Sequence, residues 1–201
     1  MRTFYFSLLL FCAIISNGQY AFRVMQYRPT GDLGAIMKKG ISAELMHLDD
    51  HQEEEFRARY GIGAAFLKPR LDTFISASTS SINGQTTVHP GFQTYEKFNI
   101  GYGFIGADYI KETENRFKVY PGADVTVGYY AFDYSLKNSF KTETGNASYW
   151  YSGLRLRGGV LYELNDFIYI HLEVNRSYNL LLESFRVWSN NDIGLTFQFV
   201  F

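Results

Sequence analysis

The sequence predicts an all-β fold, an up-and-down antiparallel transmembrane β-barrel of about eight strands, and three observations carry that expectation. Asp192 to Phe201 reads D-I-G-L-T-F-Q-F-V-F, which puts Ile193, Leu195, Phe197, Phe199 and Phe201 on one face of an extended strand. Asp192, Gly194, Thr196, Gln198 and Val200 fall on the other, so the period is two. The same alternation recurs along the chain in segments of ~10 residues separated by turn residues, as it must where an outer face meets lipid and an inner face is polar or small. The composition agrees: with 18 Phe, 16 Tyr and 18 Gly in 201 residues, aromatic side chains suit a pleated surface better than helices.

The N-terminus sets the compartment. Met1-Arg2-Thr3 precedes an uncharged apolar run from Phe4 to Ile15, followed by Ser16-Asn17-Gly18. This is the tripartite pattern of a secretory signal peptide, too short for a spanning helix of ~20 residues, and it predicts cleavage after Gly18. The expected organisation is therefore a signal peptide over 1–18 and a barrel over 19–201. Cys12, the one cysteine, lies inside the signal, so the mature chain is expected to carry neither thiol nor disulfide. No later segment is long and apolar enough for a helical span, so entry into a membrane requires a closed barrel with every backbone group paired. A net charge of -1 supplies no basic footprint for nucleic acid.

Taken in order, Tyr20 to Pro29 is the first strand, with Tyr20, Phe22 and Val24 opposite Arg23 and Met25. Thr30 to Lys39 is a connection. Ile41, Ala43 and Leu45 alternate with Ser42, Glu44 and Met46 in the second strand, and the charged run 49–54 is a turn in water. In the third strand Phe56, Ala58, Tyr60, Ile62, Ala64 and Phe66 oppose Arg57, Arg59, Gly61, Gly63 and Ala65. Arginines sharing a face with glycines imply a confined polar interior. Pro69 ends that strand, and Arg70 to Glu96, rich in Ser and Thr, reads as a long loop. The fourth strand runs from Phe98 to about Ile110, with a bulge expected near Ile105-Gly106, followed by a short charged turn, Lys111 to Arg116. The fifth runs from Phe117 to about Leu136, with Asp124, Thr126, Gly128 and Tyr130 inward, and Lys137 to Ser148 is a polar loop. The sixth faces Leu154, Leu156, Val160, Tyr162 and Leu164 outward and Arg155, Arg157, Gly159 and Glu163 inward. A three-residue turn over Leu164 to Asp166 leads to the seventh, Ile168 to Val174, and places Arg157 across from Glu173. A loop from about Glu183 to Asn190 feeds the last strand.

The even strand count, the alternation of short and long connections, the signal segment and the terminal Phe201 together resemble the small outer-membrane β-barrel superfamily that includes the OmpA membrane domain, OmpX and OmpW. The resemblance covers all of residues 19–201. It implies an architecture and a location in the outer membrane, with Phe197, Phe199 and Phe201 as the sorting signal read by the barrel assembly machinery. It implies no catalytic motif. The chain stops at Phe201, so no peptidoglycan-binding domain is expected after the barrel.

The chemistry-bearing set is the inward one: Arg23, Glu44, Arg57, Arg59, Asp124, Arg155, Arg157, Glu163, His171 and Glu173. An eight-stranded barrel is only wide enough for side chains, so these are expected to form an ion-pair and hydrogen-bond network filling the interior. A gated solute path lined by the same charges is the alternative. His171, Glu173 and Ser177 share a face, which resembles the His- and Ser-dependent sites of lipid-modifying barrel enzymes without reproducing their His-x-Ser-Asn arrangement. At ~3.3 Å per residue, however, Ser177 lies ~20 Å from His171 along the strand. His47, His51 and His89 are scattered and show no metal-ligand spacing, and no cofactor or metal is expected. Arg176 faces outward, where it either meets anionic lipopolysaccharide at the membrane boundary or is turned inward by a bulge.

The primary functional expectation is a non-catalytic outer-membrane barrel, structural or binding a partner through its loops, 70–96 above all, or serving as a subunit of an envelope complex. The rivals are a porin-like small-solute or hydrophobic-ligand channel and a lipid-modifying enzyme. Expected partners are outer-membrane lipid and lipopolysaccharide, the assembly machinery and an envelope protein.

Overall fold

The computed structural model describes residues 19–49, 55–70, 74–111, 116–138, 142–183 and 187–200. The signal segment with Cys12, most of the charged turn at 50–54 and Phe201 lie outside them.

The described residues form nine strands and one short helix. The strands are β1 (Gln19–Thr30), β2 (Gly40–Leu48), β3 (Phe56–Leu67), β4 (Phe74–Ile82), β5 (Gln85–Tyr109), β6 (Phe117–Asn138), β7 (Thr142–Asn165), β8 (Ile168–Leu181) and β9 (Val187–Val200). The helix α1 (Gly31–Ile36) sits between β1 and β2. All neighbours are antiparallel. β1 pairs with β9 from Gln19↔Val200 to Thr30↔Ser189, and β3 pairs with β5 from Phe56↔Tyr109 to Leu67↔Phe98. These two seams close β1, β2, β3, β5, β6, β7, β8 and β9 into a ring of eight. The up-and-down barrel expected from the alternation is the observed fold, and closure leaves the ring no edge strand.

The alternation places the side chains as a lipid-facing wall requires. On β9, Ile193, Leu195, Phe197 and Phe199 are exposed, whereas Asp192, Thr196 and Gln198 are buried. β1, β3, β7 and β8 follow the same rule, with Phe22, Ile62, Leu154 and Leu172 outside and Arg23, Arg59, Arg155 and Glu173 inside.

Five expectations are corrected. The loop expected over 70–96 is strand from Phe74 onward: β4 and the first part of β5 form a hairpin about Asn83-Gly84, where both residues have positive φ. Asn-Gly is the turn that a two-residue hairpin prefers. The polar loop 137–148 is mostly strand, because β6 and β7 pair as far as Lys137↔Thr142. Beyond a membrane both faces of a strand meet water, so the period-two signal that marks strands within the wall disappears. The loop before β9 likewise yields to strand from Val187. The bulge lies between Tyr95 and Lys97, not at Ile105-Gly106, where the pairing with β6 is continuous. Phe98, Ile100, Tyr102 and Phe104 point inward, so Ile105 outside and Asp108 inside keep one phase. Finally, Arg157 pairs with Asn175, and Gly159 pairs with Glu173. The β7–β8 connection is a two-residue turn, Asp166-Phe167, with a register shift between Glu163 and Asn165, so the register differs by two from the expected one.

Candidate functional site

The lumen holds three storeys of side chains. The lowest, toward the ends of the chain, is ionic. Arg23 lies directly across from Glu44 in the β1–β2 pairing and bridges it to Glu173. Asp124, across from Arg155 in the β6–β7 pairing, accepts from Arg155 Nε at 2.7 Å, Arg157 Nε at 2.9 Å and Arg59 Nη2 at 3.2 Å. Arg155 also reaches Glu44, whose third donor is the Tyr102 hydroxyl at 2.6 Å. Arg57 and Arg157 contact Asp108 at 3.2 and 2.6 Å. Arg23 and Glu44 are 0% and 2% exposed. Charges so far from water are tolerable only when paired, and here each carboxylate is shared between at least two donors.

His171 closes this storey. Its Nε2 meets Gln198 Oε1 at 2.8 Å and its Nδ1 meets the Tyr120 hydroxyl at 2.9 Å. Arg57 also donates to Gln198 Oε1 at 2.9 Å, which fixes that atom as the acceptor. His171 therefore carries its proton on Nε2 and accepts from Tyr120. Ser177 is one storey higher by its place on β8 and accepts from Asn190 Nδ2 at 3.3 Å. The His171 and Ser177 side chains do not meet, and the imidazole is spent on structural bonds.

Of the ten residues in the expected interior set, Glu163 is the exception in place. It is half-buried at the end of β7 beside Tyr169, outside the network. Asp108, which lies outside the expected set, belongs to the network through Arg57 and Arg157. It was missed because the bulge expected near Ile105-Gly106 left the facing of the residues beyond it unassigned. Tyr102, Tyr120, Thr196 and Gln198 were overlooked for a different reason, because an uncharged side chain in an alternating strand gives no sign of bonding to a charge.

The middle storey is built from amides: Asn190 binds Tyr27, Asn179 and Asp192 at 3.1, 3.0 and 2.6 Å. The upper storey is aromatic. Phe98 stacks on Tyr130 and Phe132 with centroids 5.2 Å apart, and Trp188 meets Tyr151 edge-on at 4.9 Å. Leu33 and Ile36 of α1 pack against this cluster. A cavity of about 300 Å³ remains there, lined by Leu33, Ile36, Phe98, Tyr130, Leu181, Val187 and Trp188.

Large inward side chains are accommodated by glycine on the neighbouring strand. A Cβ on Gly159 would lie 2.6 Å from the Tyr120 ring, and one on Gly63 would lie 2.6 Å from the Tyr102 ring. Gly159→Val is thus expected to displace Tyr120 from His171 and to cost ~1–3 kcal/mol by overpacking. Denaturant unfolding of Gly159→Val alone and combined with Tyr120→Ala checks this. The second substitution should recover part of the loss, and an additive pair would contradict the fit.

The outer wall is asymmetric. At the rim near the chain ends, aromatic pairs form a girdle: Tyr20–His47 and Phe56–Tyr109 at 5.1 Å, and Phe117–Tyr162 at 4.6 Å. At the hairpin rim, Arg28, Lys39, Lys68, Lys97 and Arg176 are exposed.

No family model matches the sequence, and no curated protein sequence matches it. Among solved structures the chain is similar to Neisserial surface protein A, with a TM-score of 0.54 and 14% identity over 92% of this chain and 98% of that one. It is also similar to a major outer membrane protein from Thermus thermophilus, with a TM-score of 0.50 and 11% identity over 90% and 99%. The fold is that of the small outer-membrane β-barrels. A third neighbour is Ail, the attachment invasion locus protein of Yersinia pestis, at a TM-score of 0.42 and 11% identity over 91% and 99%.

Proposed function

We propose that the chain is exported by its N-terminal segment and inserted in the outer membrane, where it is a non-catalytic barrel that binds a protein partner of the envelope or cell surface through the β4–β5 hairpin. The observation that carries this reading is the contrast between a lumen occupied by ion pairs, amides and aromatics and a hairpin that continues past the ring. The exposed belt led by Phe22, Leu172, Leu195 and Phe197 favours lipid as the surrounding solvent, because soluble monomers rarely expose apolar patches of more than a few hundred Å². β4 is hydrogen-bonded only to β5 among the described residues. Its other edge offers a row of backbone donors and acceptors, the template on which an extended peptide adds as a further strand. This reading puts both chain ends on the periplasmic side, so that the edge faces outward from the cell.

The test uses the full chain. A heat-modifiable band in the outer-membrane fraction and no conductance steps in planar bilayers are the expected results; stable unitary steps would overturn the closed-barrel reading in favour of a channel. Photo-crosslinks from Ser81 of the full chain should reach a discrete envelope protein, and deleting residues 74–93 should leave heat-modifiability unchanged while abolishing co-purification of that protein. Crosslinks only to lipid would overturn the partner reading.

A further inference from the structure

The outer wall at the junction of β7, β8, β9 and β1 carries two consecutive rows of outward residues. Strand pairing sets Leu156, Arg176, Asn191 and Arg28 side by side in the upper row, and Gly158, Val174, Ile193 and Gln26 in the row beneath. All of them but Gln26 line a groove of about 500 Å³. Arg176 Nη1 donates to Asn191 Oδ1 at 2.9 Å, and its guanidinium lies 5.2 Å over the Tyr178 ring. Arg28 Nε donates to Gln26 Oε1. Among the described residues neither guanidinium has a carboxylate partner, although most arginines of this barrel are ion-paired. Below them Gly158 leaves open space, with nothing within 4 Å of where its Cβ would be, flanked by Leu156, Val174 and Ile193.

An outward arginine costs ~2–4 kcal/mol at the bilayer midplane and ~0–1 kcal/mol near an interface, so the upper row marks the edge of the hydrocarbon. The height agrees: Ile168 to Arg176, at ~3.3 Å per residue and a tilt of ~40°, rises ~20 Å, close to the ~25 Å of an apolar band. Two strand spacings of ~4.8 Å put the Arg28 and Arg176 backbones ~10 Å apart, so that both guanidinium groups can converge on one tetrahedral anion above the groove.

We propose that this is a lipid site: Arg28 and Arg176, with the Asn191 amide between them, bind the phosphate of a phosphorylated membrane lipid, and an acyl chain lies in the Gly158 notch. The inference rests on the outer-membrane reading, which makes the occupant a phosphorylated lipid of the outward-facing leaflet. Charge complementarity above and an apolar notch below select an amphiphile with a phosphate head over a peptide or a neutral lipid.

The test is native mass spectrometry of the full chain released from phosphatidylcholine vesicles containing phosphatidic acid, whose head is a phosphate monoester. The wild-type protein should retain one phosphatidic acid in preference to phosphatidylcholine. Arg28→Gln/Arg176→Gln should lower that retention about tenfold or more, as loss of two charge-assisted contacts would. Gly158→Leu should lower it with both arginines present, whereas Lys111→Gln/Arg116→Gln at the opposite rim should not. Equal retention by wild type and the double arginine variant, or an equal loss from the opposite rim, would overturn the site. Displacement of the lipid by inorganic phosphate, with Gly158→Leu unaffected, would overturn the acyl notch. A chain that fails to insert in these vesicles, read from heat-modifiability of the same sample, would overturn the membrane reading and the site with it.

Discussion

Asp124→Ala is expected to destabilise the barrel by ~3–5 kcal/mol, the range for breaking a buried ion pair by removing one partner. Asp124 is 1% exposed and accepts from Arg59, Arg155 and Arg157. Removing it leaves three guanidinium groups facing one another in a space closed to water. Arg155 keeps Glu44 and Arg157 keeps Asp108, but Arg59 keeps only a 4.0 Å contact to Asp108. The unpaired charge therefore falls mainly on Arg59, and Asp124→Ala/Arg59→Met should be more stable than Asp124→Ala alone. Urea unfolding in phosphatidylcholine vesicles checks this. With a slope of ~2 kcal/mol/M the midpoint should fall by roughly 2 M, and Asp124→Asn, which keeps one strong acceptor, should fall less. A midpoint for Asp124→Ala within ~0.25 M of wild type would contradict the account of the lowest storey.

The parts of this architecture that were legible in the sequence are those where one face meets lipid and the other a crowded interior. Arg57 and Arg59 between Ala58, Gly61 and Gly63 could only be inward, because the opposite face of the same strand is apolar throughout. β8 and β9 were legible for the same reason. β5 was not, since Phe98, Ile100, Tyr102 and Phe104 fill the lumen while Gly101 and Gly103 lie on the outer face, reversing the usual assignment of aromatics to lipid. The reversal follows from volume: Gly61 and Gly63 of β3 leave space that the rings of Phe104 and Tyr102 occupy. That complementarity exists only between strands distant in sequence. Register is similarly non-local. The Arg157 to Asn175 pairing depends on a turn one residue shorter than expected and on a single register shift, which the alternation of either strand leaves open. The β4–β5 hairpin has water on both faces and so no alternation to read; Asn83-Gly84 was its one local sign.

Leu195→Arg separates a lipid-facing wall from a water-facing one. Leu195 pairs with Val24 on one side and Leu172 on the other, and all three side chains are exposed. In water an exposed leucine replaced by arginine changes stability little, within ~0.5 kcal/mol for surface substitutions. In a bilayer the same change puts a cation near the middle of the hydrocarbon, at ~2–4 kcal/mol. Gln26→Arg supplies the depth control, because Gln26 lies on the same wall next to the Arg28 row and should cost ~0–1 kcal/mol. Both variants, unfolded by urea from phosphatidylcholine vesicles, should therefore differ by ~2–3 kcal/mol with the larger loss at Leu195. Equal costs at the two positions would mean that no hydrocarbon gradient runs along β1 and β9, and the apolar belt would need a protein partner, not lipid, to cover it. A gradient that reaches its minimum at the Arg28–Asn191–Arg176 row would fix the upper boundary of the membrane at the two arginines that have no carboxylate partner among the described residues.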